Sequence, residues 1–163
     1  MQSKFILPVE PIAQIAEVKQ LLLACELPVS DIQPSASLLF FGCRSSSELV
    51  GAVGLELFGA VALLRSLAVA PPHRKYSLGK SLVAFAEAHA AALDVQSLFL
   101  LTTTAKAFFS KLGYAPASRE DAPLPIKATA QFSGLCPASS SFMSKRLCSP
   151  ALKRDSPRSG RAP

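Results

Sequence analysis

Apolar and polar positions along the chain change period several times, and each change marks an element. Phe5–Val9 is a short apolar run, read as a first strand. Over Ile12–Leu27, the residues Ile12, Ile15, Ala16, Leu22 and Leu23 fall at helical spacing, and Pro28 is read as the stop. Ser30–Ile32 reads as a short turn ahead of Pro34. A β-rich block follows. Ser37–Arg44, Leu49–Phe58 and Val61–Val69 are apolar runs joined by Ser45–Ser47 and Gly59, which predicts an antiparallel meander. Gly51 and Gly54 inside the second run point to a bulge or a close backbone approach.

After Pro71-Pro72 the period returns to that of a helix. Leu78, Leu82, Phe85, Ala86 and Leu93 share one face. Ser97–Leu101 reads as a strand and Thr104–Leu112 as a short helix, with Gly113 at the position where the backbone turns left-handed. Tyr114–Ala117 is a short strand. Residues 118–139, rich in Pro and Ala, have no readable period, and Ser140–Arg146 is a closing strand. The order is that of an α/β or α+β protein with a mixed sheet.

Composition agrees with one domain. Of 163 residues, 50% are hydrophobic and 17% charged, which excludes disorder throughout and suffices for a core without disulfides or structural metal. The net charge of +6 would ordinarily raise nucleic acid or an anionic membrane as partners. Half of that excess sits after Leu147, in Lys153, Arg154, Arg158 and Arg161 against Asp155. The tail is rich in Ser, Pro, Arg and Gly and lacks interleaved aromatics, so residues 1–147 are expected to form the domain and 148–163 a disordered basic tail. Neither a nucleic acid nor a membrane is expected as partner.

Cys25, Cys43, Cys136 and Cys148 show no CxxC spacing and no His beside a Cys pair, so no metal site is expected. The apolar part of the first residues is too short for a secretory leader, and no run approaches a membrane span. The expected compartment is the cytoplasm, with isolated reduced thiols. His73 reads as a solvated loop residue and His89 as a packing residue on the helix stripe. Ser139–Ser141 has neither a neighbouring base nor elbow glycines, which leaves serine hydrolysis without support.

The chemistry concentrates in Leu67–Lys80, where a strand ends, a tight loop follows and a helix opens. Such a helix start presents unpaired N–H groups and a positive dipole end, suited to an anion. Arg74 and Lys75 add charge, and Gly79 permits close approach. The spacing is neither that of a Walker loop nor that of a dinucleotide fingerprint. The segment Val69-Ala70-Pro71 followed by Arg74-Lys75-Tyr76-Ser77-Leu78-Gly79 resembles motif A of the GNAT acyltransferases. Thr102-Thr103-Thr104-Ala105-Lys106-Ala107-Phe108-Phe109-Ser110-Lys111-Leu112-Gly113-Tyr114 is similar to that family's Asn-x-x-Ala-x-x-Phe-Tyr-x-x-x-Gly-Phe helix and strand. Within the family the chain resembles the N-acetyltransferases encoded beside bacterial arsenic-resistance genes, through Gly54-Leu55-Glu56, Leu64–Val69, Leu100–Ala105, Phe108-Phe109 and Leu135-Cys136-Pro137.

The resemblance implies a GNAT-like mixed, mostly antiparallel twisted sheet flanked by helices, with acetyl-CoA as cofactor. It implies that backbone groups of Leu67 and Val69 pair with the pantetheine arm. Backbone N–H groups of the segment Arg74, Lys75, Tyr76, Ser77, Gly79 and Lys80 would hold the pyrophosphate, and Thr102 and Phe109 would lie beside the cofactor. It implies transfer of an acetyl group to a primary amine of a small molecule: an amino acid or an amino-acid-like toxin, with arsenic detoxification as the setting. Glu56, a strand carboxylate among apolar neighbours, is the candidate base, directly or through water. Arg65 either binds a substrate carboxylate or pairs with Glu56. Cys136 is either a packed thiol or a contact for a thiophilic arsenical.

Two departures stand out. The family's leaving-group acid is a Tyr where this chain has Phe109, leaving only the hydroxyls of Thr102 and Thr103 nearby. Ser77 replaces the first motif glycine; it can cap the helix, but its Cβ narrows the pyrophosphate path. These departures keep two alternatives open: a catalytically impaired acyl-CoA-binding or sensing protein of the same fold, and an interaction domain that binds no cofactor. A homodimer also stays open.

Overall fold

The structure, a computed structural model, describes residues 7–147. The tail 148–163 lies outside that range, as do Phe5 and Ile6 of the first apolar run. The described part is a seven-stranded sheet, in the order β1-β2-β3-β4-β5-β7-β6, with helices on both faces. It is a mixed α/β fold whose strand pairs are all antiparallel except β4 with β5.

The meander is β2 (Leu38–Ser45), β3 (Glu48–Phe58) and β4 (Val61–Val69), as its alternation predicts. Ser46 and Ser47 both have positive φ, the twist that a two-residue hairpin loop requires. The first strand is shifted from expectation: β1 is Glu10–Pro11, paired with Phe41 and Gly42. Helix α1 is also shorter than its periodicity, Ile15–Ala24 rather than 12–27. Its end precedes Pro28, because Glu26 turns left-handed and the N–H groups of Glu26 and Leu27 close back on the carbonyls of Leu23 and Leu22. The same Schellman closure, with Asp94 in the left-handed position, ends α2 (Leu78–Ala92). Gly113 serves α3 (Lys106–Lys111) as expected.

Strand β5 (Ser97–Thr102) is followed by α3, β6 (Ala115–Pro116) and then residues 118–139, where the sequence shows no period. That stretch contains α4 (Leu124–Lys127) and a π-helical turn, Gln131–Leu135. The chain then returns through β7 (Ser141–Arg146), which inserts between β5 and β6.

One face of the sheet buries Phe41, Val53, Leu55, Leu64, Leu98 and Leu100 against α2 and α3. The other carries two smaller clusters, one of Val18, Leu22 and Ile32 on Phe40, Ala52 and Ala68, the other of Ala122 and Ile126 on Leu63 and Phe142. His89 packs at a tilt against Phe41 with ring centroids 4.9 Å apart, so it is a packing residue. Between α2 and β7 lies a half-buried polar staple: Lys145 donates to Glu87 and to the Leu112 carbonyl, and the Tyr114 hydroxyl donates to Glu87. Burial, then the Glu87 charge, pushes the Tyr114 phenol far above its ordinary value.

Among the described residues, Cys25, Cys43 and Cys136 are free thiols. No helix there is long and apolar enough to cross a membrane.

Candidate active site

Strands β4 and β5 are paired only from Val61–Leu63 to Ser97–Phe99. Beyond that the two strands part and leave a fork in the middle of the sheet. On its other side β4 stays paired with β3, but with a bulge: between the pairs Gly54–Arg65 and Ala52–Ala68, one β3 residue opposes Ser66 and Leu67. Ser66 takes the left-handed conformation (φ 55°) that absorbs the extra residue. Gly54 lets the strands pass closely there, since a Cβ would stand 3.0 Å from the Phe40 ring and 3.1 Å from Arg65 Cγ and push those side chains aside. The Ala70 N–H donates to Val50 on β3. By strand alternation the N–H and C=O of Val69 and Leu67 therefore face the fork.

Two adjoining cavities fill the fork, sharing Leu27, Leu67 and Thr104. The larger, about 730 Å³, brings together six of the sequence-predicted residues: Leu67, Val69, Arg74, Ser77, Gly79 and Lys80. Residues Pro71–Tyr76 form a 3₁₀ turn that aims the first turn of α2 into this groove. The side chains of Lys75 and Tyr76 lie outside the described part. Ser77 does not cap α2; its side chain makes no capping bond, and its φ of 57° is left-handed. The N–H groups of the first turn are thus left without a side-chain cap from Ser77. Arg74 lies along the groove wall, its Nε donating to the Val69 carbonyl at 2.9 Å. Cys25, Phe108 and Lys111 also line the groove. Their place in the groove depends on how α1 and α3 dock, which no local pattern encodes. Among the described residues, Lys80, Lys111 and Arg74 are its charged lining, with no carboxylate among them.

The smaller cavity, about 400 Å³, holds Arg65, Ser66, Thr102, Phe109, Gln131 and Cys136 among its walls. Phe109 and Thr102 therefore face this cavity rather than the larger groove. Thr102 Oγ1 accepts the Ala105 N–H at 3.0 Å, which leaves its own hydrogen free to donate. Arg65 pairs with Glu56, Nη1 to Oε1 at 3.2 Å, and also with Asp31, a partner the sequence gave no reason to choose. Nη1 and Nη2 each reach an Asp31 oxygen, Nη2 at 2.8 Å, and Nε donates to Ser66 Oγ at 3.1 Å. Burial raises the Asp31 carboxyl, but the Arg65 hydrogen bond and charge outweigh it and hold the group below its ordinary value. Burial also pushes the Cys136 thiol up; it donates to Gln131 Oε1 at 3.1 Å. Glu56 lies beside Leu63, the last β4 residue paired across to β5, at the foot of the fork. It is not among the residues lining either cavity.

A family model described as the acetyltransferase (GNAT) family matches residues 13–114. A candidate acyl-CoA N-acyltransferase from Klebsiella pneumoniae has a similar structure: TM-score 0.70 and 25% identity, over 90% of this chain and 100% of that one. N-acetylglutamate synthase from Neisseria gonorrhoeae, solved with coenzyme A and N-acetyl-glutamate, aligns with TM-score 0.71 and 18% identity, over 91% of this chain and 36% of the synthase. A GNAT-family acetyltransferase from Staphylococcus aureus gives 0.67 and 16%, over 88% of this chain and all of its own. A comparison with curated proteins finds no significant match.

Proposed function

The chain belongs to the acetyltransferase (GNAT) family, and from that premise we propose that it transfers an acetyl group from acetyl-CoA to a primary amine of a small molecule. The observation that carries this reading is the fork: an unpaired β4 edge, a cationic groove on one side of it and a smaller polar cavity on the other.

The residues present fit the cofactor. The backbone of Leu67 and Val69 offers strand-like donors and acceptors to an amide-bearing arm. The first turn of α2, with Arg74 and Lys80, suits a pyrophosphate. At Gly79 a Cβ would meet only Phe108, at 3.4 Å, so a side chain would point into groove space rather than protein. When bound, acetyl-CoA supplies an activated acyl carbonyl with a thiolate leaving group.

The chain's residues do the rest. Arg74 must release the Val69 carbonyl for an arm to pair there. An ammonium on the acceptor has to lose a proton before its nitrogen can form the C–N bond. We assign that proton to Glu56, acting through water from the foot of the fork, with Arg65 fixing the carboxylate. Phe109 has no proton to give; the Thr102 hydroxyl keeps a hydrogen free to donate on that wall, but an aliphatic alcohol is a weak acid, so the departing thiolate is left to take its proton from water.

The acceptor class suggested by the likeness to arsenic-linked relatives is an amino acid or amino-acid-like toxin, arsenicals included. It rests on the sequence runs quoted above. Cys136 adds little to it, since its thiol is held protonated and bonded to Gln131.

Thiol release from acetyl-CoA across a panel of amines tests the function. Glu56→Gln is expected to lower kcat at least tenfold while acetyl-CoA still raises the melting temperature. Unchanged turnover would remove Glu56 from the mechanism. No release with any amine, despite cofactor binding, would favour the sensing alternative. No stabilisation by acetyl-CoA would favour an interaction domain.

A further inference from the structure

We infer that the acceptor is a cationic primary amine without a free carboxylate, a refinement that rests on the transferase reading above. The smaller cavity carries the inference. Its charged lining, among the described residues, is Arg65 and Glu26. Arg65 is its one cation, and that guanidinium is already engaged: Asp31 takes it with both oxygens, Glu56 takes Nη1 and Ser66 takes Nε. The Arg65 side chain is 2% exposed and that of Asp31 14%, so the pair is not a loosely solvated one.

Arg65 therefore faces two carboxylates, Arg119 adds a second positive charge on the Cys136 side, and exposed Glu26 at the rim, next to Leu27 and Pro28, adds a third carboxylate. A surplus of fixed negative charge around a partly desolvated cavity attracts an ammonium and repels a carboxylate. For a substrate carboxylate to take Arg65 it would have to expel Asp31. That would leave a half-buried carboxylate without its cation, the arrangement that costs most when an ion pair is opened. The remaining walls are neutral: Thr102–Thr104 and Gln131 offer hydrogen bonds, while Leu64, Leu100 and Leu135 offer apolar surface for the body of the amine.

On this reading Arg65 is a positioning residue. Through Asp31 it ties the 25–36 segment to β4 and so sets one wall of the cavity. Amino-acid-like acceptors are then those whose carboxylate is absent or masked, such as amides and decarboxylated amines.

The test is a matched series of leucine, leucinamide and 3-methylbutylamine, read by kcat/KM for thiol release. The shift in melting temperature each causes in the CoA-loaded protein is a parallel readout that does not depend on turnover. The amide and the amine are expected to exceed leucine at least tenfold in kcat/KM and to stabilise the loaded protein where leucine does not. Glu26→Lys, at an exposed position, is expected to raise KM for the amines severalfold while leaving kcat and the unliganded melting temperature unchanged. Leucine matching or outrunning its amide overturns the inference and leaves the transferase reading standing. Absence of both thiol release and acetyl-CoA stabilisation overturns the transferase reading and this inference with it.

Discussion

Ser77 shows how one residue sets the terms of a site. It sits where the chain passes from the 3₁₀ turn into α2, with φ at 57° and no capping bond. A left-handed conformation costs an L-residue about 1–2 kcal/mol, part of which glycine would give back as unfolded-state entropy. Ser77→Gly is therefore expected to stabilise the protein by about 0.5–1 kcal/mol, a rise in melting temperature of about 1–4 °C, and to tighten CoA binding. A lower melting temperature would show that the strain is not there. Asp31 is the opposite case, a residue whose charge is built in. Folding lowers its proton affinity, so the stability it contributes is complete above the ordinary carboxylate pKa of about 3.9 and is lost as pH falls through the lower folded value. Asp31→Asn is expected to cost about 3 kcal/mol at pH 7 in urea melts, with the gap to wild type narrowing at pH 3. An equal cost at both pH values would mean that packing, not charge, holds the segment.

At the scale of elements, the groove is made where β4, α2 and α3 meet, and its cations come from two helices. Lys80 on α2 and Lys111 on α3 both line it, and neither has a carboxylate within ion-pair distance among the described residues. Lys111→Gln is expected to weaken CoA binding about tenfold, about 1.4 kcal/mol, with a shallower salt dependence in titration calorimetry. An unchanged Kd would place Lys111 outside the contact. The same scale decides what was legible in the sequence. The meander, the strand–turn–helix at Val69–Lys80 and the end of α3 were readable, because alternation, Pro71-Pro72 and Gly113 are local signals. The end of α1 was not, because Glu26 holds the left-handed position usually filled by glycine. The Arg65–Asp31 pair spans 34 residues of sequence, and the cavity walls at Leu135–Pro137 come from a stretch with no period. Such contacts follow from which strands neighbour each other, and no local pattern encodes that.

For the whole molecule, the sheet accounts for the chain up to Leu147, and we propose that residues 1–147 are the functional unit. Removing 148–163 takes away half of the +6 charge and leaves every described residue of the two cavities in place. The shortened chain is expected to keep its melting temperature within 2 °C, within about 0.5–1 kcal/mol for a domain of this size, and its acetyl-CoA affinity within twofold. A larger loss in either would assign the tail a part in the fold or the site. The strand order carries a further consequence, for how the chain is made. Strands β1 to β4 neighbour one another in the order of synthesis, so that half of the sheet is able to assemble while later segments are still emerging. The other half is not: β5 and β6 have no common edge until β7, the last element, slides between them. Until Arg146 has left the ribosome, β5 has within the sheet only its three residue pairs with β4. A nascent chain stalled before Ser141 should therefore carry a protease-resistant N-terminal meander beside a cleavable remainder, and the fork would be the last part of the protein to take shape.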